Sequence, residues 1–145
     1  MKVLITVDGS EYSKTAIDAV INRAWEPDDQ FVVLTVADDL PKEFSFLRDG
    51  QEPDSVASAL VQQYESYVDE AVQKLQSGLP EHFVEAAVAR GPIAQTIANC
   101  ARTWGIDLIV MASNGRKGFQ KMLVGSVTED VIKLAPCSVE VIKKR

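Results

Sequence analysis

Short, strongly apolar runs alternate along the chain with longer stretches in which apolar residues recur every three or four positions. Uninterrupted apolar runs rich in β-branched residues predict strands that are covered on both faces, whereas the longer spacing predicts amphipathic helices. The sequence therefore predicts five strands, at residues 2–7, 31–37, 83–89, 106–111 and 138–143, the first of them covered on both faces.

The first predicted helix follows the turn at residues 8–10 and ends at Pro27. Asp8 and Ser10 are both candidate N-caps, because their side chains can accept hydrogen bonds from the first free N–H groups of a helix. The apolar face of this helix is predicted to consist of Ala16, Ile17, Val20, Ile21 and Ala24.

Glycine and proline bound the other predicted helices. One covers residues 54–77, the next lies between residues 91–92 and Gly105, and the last begins near Ser126. Regular alternation of strands and helices predicts an α/β fold with a doubly wound, open parallel sheet and right-handed crossovers. No repeat or linker interrupts the pattern, so we expect a single domain over residues 1–145.

Charge, hydropathy and cysteine spacing exclude several classes of function. The formal net charge is −6 and no long run of lysine and arginine occurs, which argues against nucleic acid as a partner. No apolar run approaches the roughly 20 residues of a membrane span, so we expect a cytoplasmic protein without membrane contact. Cys100 and Cys137 lack the close spacing of a metal or redox pair and are expected to be small buried hydrophobic residues.

Four segments that suit ligand binding end or directly follow predicted strands, at residues 8–10, 36–38, 90–92 and 112–115. Parallel strands carry their carboxyl ends to one edge of the sheet, and ligands bind there where neighbouring crossovers leave in opposite directions. These four segments are therefore expected to converge.

The last of these segments carries the most specific pattern. Ala112 and Gly115 are followed, after nine residues, by Gly125-Ser126 at a helix start. Glycine lets backbone N–H groups approach an anion, and the helix N-terminus adds partial positive charge. Ser126 and Glu129 also fit an S-x-x-E capping box, so the hydroxyl either caps the helix or binds a phosphate oxygen. From spacing alone, an anion site and a structural loop both remain open.

Asp8 also has two interpretations. Before a helix an aspartate is usually a cap, but at the carboxyl end of a central strand it can reach a ribose hydroxyl or a ligand-bound cation. Arg116, Lys117 and Lys121 either neutralise phosphates or form solvated surface.

The sequence lacks the motifs of several common catalytic sites. No P-loop, no G-x-G-x-x-G after the first strand and no G-x-S-x-G occurs. His82 has no second histidine or cysteine nearby for a metal, lies at the other end of its strand, and is predicted to be a surface residue. Trp25 and Trp104 are predicted to pack against the core. We assign no catalytic residue.

The motifs together carry a family resemblance. The opening VLITVDGSEYS, the later IDLIVMAS and VGSVTEDVI, and the ending APCSVEVI make the whole chain resemble the universal stress protein family. Nucleotide-binding members of that family carry G-x-x-G, nine residues, then G-[ST]. This sequence has Ala112 at the first glycine, which adds a methyl that is harmless at negative φ and strained at positive φ.

The resemblance implies an adenine-nucleotide site on an adenine nucleotide alpha hydrolase-like sheet of strand order 3-2-1-4-5, and a homodimer paired through the last strands. It implies that Asp8 lies by the ribose and phosphates and that Val36 offers its backbone to adenine. The other implied contacts are Thr6 and Val7 beside the base, Gly91 and Met111 at the adenosine, and Gly115, Gly125, Ser126 and Val127 at the phosphates.

Three functions remain open. The leading hypothesis is a stress-response regulatory or sensor protein that binds ATP or another adenine nucleotide, with Mg²⁺ near Asp8 as a further expectation and at most slow ATP hydrolysis. The second is a dimeric interaction module that binds no nucleotide and contacts a protein partner through the loop at residues 38–53. The third is a phosphotransfer enzyme or ATPase that uses Mg²⁺.

Overall fold

The computed structural model describes residues 1–37, 55–113 and 125–143. Strands and helices alternate strictly within them. The elements are β1 Lys2–Thr6, α1 Glu11–Ile21, β2 Gln30–Ala37, α2 Ser55–Gly78, β3 Phe83–Arg90, α3 Ile93–Thr103, β4 Leu108–Ala112, α4 Ser126–Leu134 and β5 Ser138–Ile142.

The five strands form one parallel sheet in the order β3-β2-β1-β4-β5. This confirms the predicted α/β fold and its strand order. β1 is the central strand, paired with β2 from Lys2↔Gln30 to Thr6↔Leu34 and with β4 from Val3↔Leu108. Its central position explains its composition, because strands covered on both faces cannot alternate apolar with polar side chains.

Two apolar clusters cover the two faces of the sheet. Val3 and Ile5 of β1 point to the cluster that α1 and α2 complete, here called the α1/α2 side. Leu4 points to the cluster that α3 and α4 complete, the α3/α4 side. All three side chains are fully buried, so the period of two along β1 divides one strand between two cores.

The first helix is shorter than its apolar spacing predicts. α1 ends at Ile21, and Ala24 is exposed, so the prediction that Ala24 faces the core is wrong. Beyond Ile21 the chain turns, and the Trp25 indole N–H donates to the Val20 carbonyl O at 2.8 Å while its ring meets Phe31 edge-on. Trp25 is half-buried against the α1/α2 cluster, so the packing predicted for it is confirmed.

The start of β4 is two residues later than predicted. Ile106 N–H donates to the Ala101 carbonyl O at 2.9 Å and Gly105 N–H to that of Arg102 at 3.4 Å, the two bonds of a Schellman motif. Ile106 is buried but belongs to the end of α3. The prediction of a helix stop at Gly105 is confirmed.

His82 is less exposed than the sequence predicts. It lies at the amino end of β3, half-buried, with its ring edge-on to Phe31 and its Nε2 3.1 Å from the Glu26 carbonyl O. Cys100 and Cys137 are half-buried against the α3/α4 cluster, and burial raises the pKa of both thiols. Among the described helices, none combines the length and hydropathy that a membrane span requires.

Candidate functional site

The order of the strands creates a crevice beyond the carboxyl end of β1. From β1 the chain continues through α1 to β2 on one flank, and from β4 it continues through α4 to β5 on the other. α1 lies on one face of the sheet and α4 on the opposite face. The two connections therefore diverge between β1 and β4, which is where open parallel sheets bind ligands.

The ladder between β1 and β2 stops short at this edge. Its last bond runs from the Val7 N–H to the Leu34 carbonyl O at 2.9 Å. The Val7 carbonyl O accepts the hydroxyl of Thr35, at 2.6 Å, so it is engaged by a side chain instead of by the next N–H of β2. Val36, the following residue of β2, has no paired residue in β1.

A tight turn links β1 to α1. Asp8 Oδ1 accepts the Ser10 N–H at 2.9 Å, and Ser10 Oγ accepts the Ser13 N–H at 3.3 Å. Ser10 is therefore the N-cap of α1, and the alternative that Asp8 caps this helix is wrong. Between them Gly9 has φ 79°, and the ring of Tyr67 from α2 lies directly against its backbone. Asp8 is thus fixed by a local turn at the crevice, half-buried.

β4 ends with a buried hydroxyl. Ser113 N–H donates to the Ile142 carbonyl O at 2.9 Å, which extends the pairing with β5 by one residue. The side chain of Ser113 is 1% exposed, and among the described residues nothing hydrogen-bonds to its Oγ. A buried polar atom without a partner is rare in native proteins and commonly marks the position of a bound water, ion or ligand.

α4 begins without a side-chain cap. Gly125, extended at φ −67° and ψ 159°, is the N-cap residue, and its carbonyl O accepts the Glu129 N–H at 3.0 Å. Ser126 is the first helical residue and is exposed, so the predicted capping box is wrong. Glu129 instead pairs with Lys133 at 3.4 Å. Within the described part of the chain, no side-chain cap bonds to the first N–H groups of α4, and such N–H groups suit an anion.

The predicted site residues divide between the two sides of the sheet. Val36, Met111 and Val127 pack on the α3/α4 side, whereas Val7 and Ala112 pack on the α1/α2 side. Thr6 is the last residue of β1, and Gly91 follows β3 and donates to the Ala37 carbonyl O at 3.4 Å. Outside the described residues lie Gly115, Arg116, Lys117, Lys121 and the loop at 38–53.

One cleft in the described structure adjoins the β1–α1 turn on the α1/α2 side of the sheet. It has a volume of about 60 Å³ and opens between α1 and α2, where Gly9, Tyr67 and Lys74 line it. That volume is far below the roughly 300 Å³ of typical small-molecule pockets. Nor does any group of three histidine, cysteine, aspartate or glutamate side chains in residues 1–37, 55–113 and 125–143 converge as a metal site.

Sequence reasoning missed Ser113 and Thr35. Each is a hydroxyl residue within or directly after an otherwise apolar strand, in FVVLTVA and LIVMAS. That interruption is the signal that could have identified them, since a buried hydroxyl requires a hydrogen-bond partner. What each hydroxyl contacts could not be read from the sequence.

An open, doubly wound parallel sheet with a crevice at its carboxyl edge defines a class of ligand-binding α/β proteins. Within that class, a sequence model described as Universal stress protein family matches residues 1–143. The chain belongs to the universal stress protein family. It is 29% identical to the universal stress protein YxiE of Bacillus subtilis, with 98% of both chains covered. It is 33% identical to the universal stress protein MJ0531 of Methanocaldococcus jannaschii, covering 99% of this chain and 82% of that one.

Solved structures show the same fold. The hypothetical protein MJ0577 of M. jannaschii superposes with a TM-score of 0.81 at 24% identity, over 99% of this chain and 96% of that one. A universal stress protein of Archaeoglobus fulgidus in complex with dAMP has a TM-score of 0.69 at 17% identity, over 99% of this chain and 98% of that one. A universal stress protein family protein of Arabidopsis thaliana with AMP bound superposes with a TM-score of 0.67 at 16% identity, over 100% of this chain and 92% of that one. At these identities the likeness concerns the fold alone.

Proposed function

We propose that this chain is a single-domain universal stress protein that binds ATP or another adenine nucleotide in the crevice at the carboxyl edge and acts as a stress-response regulator or sensor. The observation that carries the proposal is the Ser113 hydroxyl, which is 1% exposed and has no hydrogen-bond partner in the described residues. A ribose or phosphate oxygen would satisfy it, and burial without such a partner is costly.

Two neighbouring features support a nucleotide in particular. The N-terminus of α4 has glycine as its N-cap and, in the residues that the structure describes, no side-chain cap, which favours binding of phosphate oxygens by its first N–H groups. At the other flank Val36 lies beyond the β1–β2 ladder, where its backbone is available to a base. Related structures containing dAMP and AMP indicate that this fold accommodates adenine nucleotides.

The alanine at the first glycine of the motif is compatible with this proposal. Ala112 is the last residue of β4, in extended backbone paired with Ile142. Its methyl packs on the α1/α2 side, whereas its neighbour Met111 packs on the α3/α4 side with Val36 and Val127. The extra methyl thus adds core contact behind the crevice instead of occupying the crevice.

Titration calorimetry with ATP, AMP and cyclic AMP on the wild-type protein tests the proposal. We expect binding by the wild type, and about tenfold weaker binding for Ser113→Ala, the change expected when one hydrogen bond is lost. Ser66→Ala is the matched control, because the exposed Ser66 hydroxyl donates only to the Gln63 carbonyl O on α2. Absence of binding by the wild type would instead favour an interaction module without nucleotide.

Gly125→Val tests the phosphate end separately. Gly125 has extended backbone that any residue adopts, so valine adds bulk beside the free N–H groups of α4 without backbone strain. ATP binding should weaken at least tenfold while the urea midpoint stays close to that of the wild type. Unchanged ATP affinity would remove α4 from the site.

We further propose a homodimer through β5, the last strand of the sheet. The Ile142 carbonyl O bonds to Ser113 of β4, so the alternating groups of Val139 and Val141 point to the open edge. Exposed Ile132 and Leu134 on α4 add apolar surface in the same segment of the chain. An uncovered edge strand invites pairing with a second copy.

Proline at position 141 tests this interface. Val141→Pro removes an N–H that faces the open edge and leaves the β4–β5 ladder complete, so light scattering after gel filtration should change from dimer to monomer. Val141→Ala, which retains the N–H, should remain dimeric. A monomeric wild type would contradict the proposal.

A further inference from the structure

We propose that Thr35 is a positioning residue for the nucleotide site, because its hydroxyl engages the Val7 carbonyl O and thereby leaves the Val36 N–H for the adenine base. The inference rests on the proposed function and concerns the geometry that prepares the site. Thr35 lies directly before Val36 in β2 and is 2% exposed. Its Oγ1 donates to the Val7 carbonyl O at 2.6 Å across 28 residues of sequence.

The alternation of a parallel ladder decides where the backbone of Val36 points. Leu34 faces β1, because its carbonyl O accepts the Val7 N–H at 2.9 Å, and Ala37 faces β3, because its carbonyl O accepts the Gly91 N–H at 3.4 Å. Successive residues of a strand direct their N–H and C=O groups to opposite neighbours. Val36 therefore faces the side of β1, like Leu34.

On that side the ladder is interrupted. One more bond in the series would join the Val36 N–H to the Val7 carbonyl O, but the pairing ends at Thr6↔Leu34 and Val7 lies outside β1. The Thr35 hydroxyl bonds to that same carbonyl O. A side-chain donor thus replaces a backbone donor at the point where β1 and β2 separate.

The backbone of Val36 therefore offers a ligand one hydrogen-bond donor and one acceptor side by side. The N–H and C=O of Val36 face the same direction, beyond the last ladder bond, at the edge of the crevice. The edge of an adenine base offers a ring-nitrogen acceptor next to an amino donor. Without the Thr35 hydroxyl, the buried Val7 carbonyl O would need another donor, and the Val36 N–H is the one that the register supplies.

Amide hydrogen exchange measured by NMR on the ligand-free protein tests this directly. In Thr35→Val we expect the Val36 amide to exchange at least tenfold more slowly than in the wild type, because it joins the ladder. Thr35→Ser retains the hydroxyl and should exchange like the wild type. Thr15→Val is the matched control, since the Thr15 hydroxyl also donates to a backbone carbonyl O, that of Tyr12 at 2.5 Å, within α1.

Calorimetry with AMP provides the second measurement. Thr35→Val should bind AMP at least tenfold more weakly, and Thr35→Ser and Thr15→Val should bind like the wild type. If Thr35→Val does not fold, Thr35→Ala serves for both measurements. Unchanged exchange at Val36 in the variant lacking the hydroxyl would overturn the proposal, whatever its affinity. If the wild type binds no nucleotide, the proposed function fails, whereas the exchange measurement still decides whether Thr35 keeps the ladder open.

Discussion

The amino and carboxyl ends of the sheet differ in how completely their polar groups are paired. At the amino end, the buried carboxylate of Asp29 accepts the amine of Met1 at 2.5 Å and the Glu26 N–H at 2.7 Å. The backbone of Lys2 donates to Asp107 Oδ2 at 2.7 Å and accepts the Asp107 N–H at 2.8 Å. Hydrogen bonds thus connect β1 to the segments that enter β2 and β4.

The carboxyl end leaves comparable groups unpaired. Among the residues that the structure describes, the β1–β2 ladder stops at Thr6 and Leu34, the Ser113 hydroxyl has no partner, and α4 starts without a side-chain cap. Both ends belong to the same five strands, so strand composition does not explain the contrast. Within the described residues, the amino end of the sheet is closed by hydrogen bonds, and the carboxyl end is less completely paired.

One atom at the amino end departs from this contrast. His82 Nδ1 is buried without a hydrogen-bond partner in the described residues, while Nε2 approaches the Glu26 carbonyl O. The ring itself is held by its edge contact with Phe31. The contrast between the two ends is therefore one of degree.

The largest predicted effect compares two glycines with left-handed backbone, one at each end. At Gly9 a Cβ would lie 2.4 Å from the Tyr67 ring, whereas at Gly105 it would meet nothing within 4 Å. Gly9→Ala should lower the free energy of unfolding by about 3 kcal/mol, through backbone strain plus overpacking, and Gly105→Ala by about 1 kcal/mol, through strain alone. Urea denaturation measures both, and equal losses would show that Tyr67 moves aside.

Asp29→Asn tests the closed end. It should lower the free energy of unfolding by about 2 kcal/mol at pH 7, because a buried group loses charge-assisted hydrogen bonds. The hydrogen bond with the Met1 amine lowers the pKa of Asp29 below its ordinary value. Its stabilisation is therefore complete above about pH 4, the range of an unfolded carboxyl, and is lost as the pH falls through the lowered pKa.

The free energy of unfolding of the wild type and of Asp29→Asn, measured by urea denaturation, should therefore converge between about pH 5 and about pH 2, where the carboxyl takes up its proton. Asp28→Asn is a control, because Asp28 is an exposed neighbour in the same turn. A difference that grows as the pH falls would contradict the assigned role of the carboxylate.

Ser113→Ala tests the open end and should act in the opposite direction. Removing an unpaired buried hydroxyl should leave the ligand-free protein unchanged or stabilise it by up to about 1 kcal/mol. Thermal unfolding without nucleotide measures this. Destabilisation by Ser113→Ala would indicate that the hydroxyl is already paired in the ligand-free protein.

Asp107→Ala should have the smallest effect, below about 1 kcal/mol, although it removes a hydrogen bond at the closed end. Its contact with the Lys2 N–H is exposed, and water can replace an exposed acceptor. Urea denaturation of Asp107→Ala and Asp29→Asn under the same conditions checks this ranking. A loss as large as that of Asp29→Asn would mean that hydrogen-bond number, and not burial, stabilises the amino end.

Local patterns determined most of the fold. Apolar and β-branched spacing identified all five strands, and their alternation with helices indicated the parallel, doubly wound class. Burial on both faces explains the composition of the central strand β1, whereas the edge strands β3 and β5 carry Glu85 and Glu140. The stop at Gly105 was equally local, since few residues other than glycine tolerate the left-handed C-terminal position. The strand order and the positions expected around the ligand followed from the family resemblance.

Tertiary structure decided what depends on distant partners. Beyond the end of α1 at Ile21, Trp25 packs edge-on against Phe31, and Ala112 packs against the α1/α2 cluster. The bond from Thr35 to Val7 joins residues 28 positions apart. A continuous apolar strand does not reveal which face each side chain takes or where its ladder stops. The sequence therefore determined the layers of this protein, and only the three-dimensional contacts determined which polar groups of the described residues are paired.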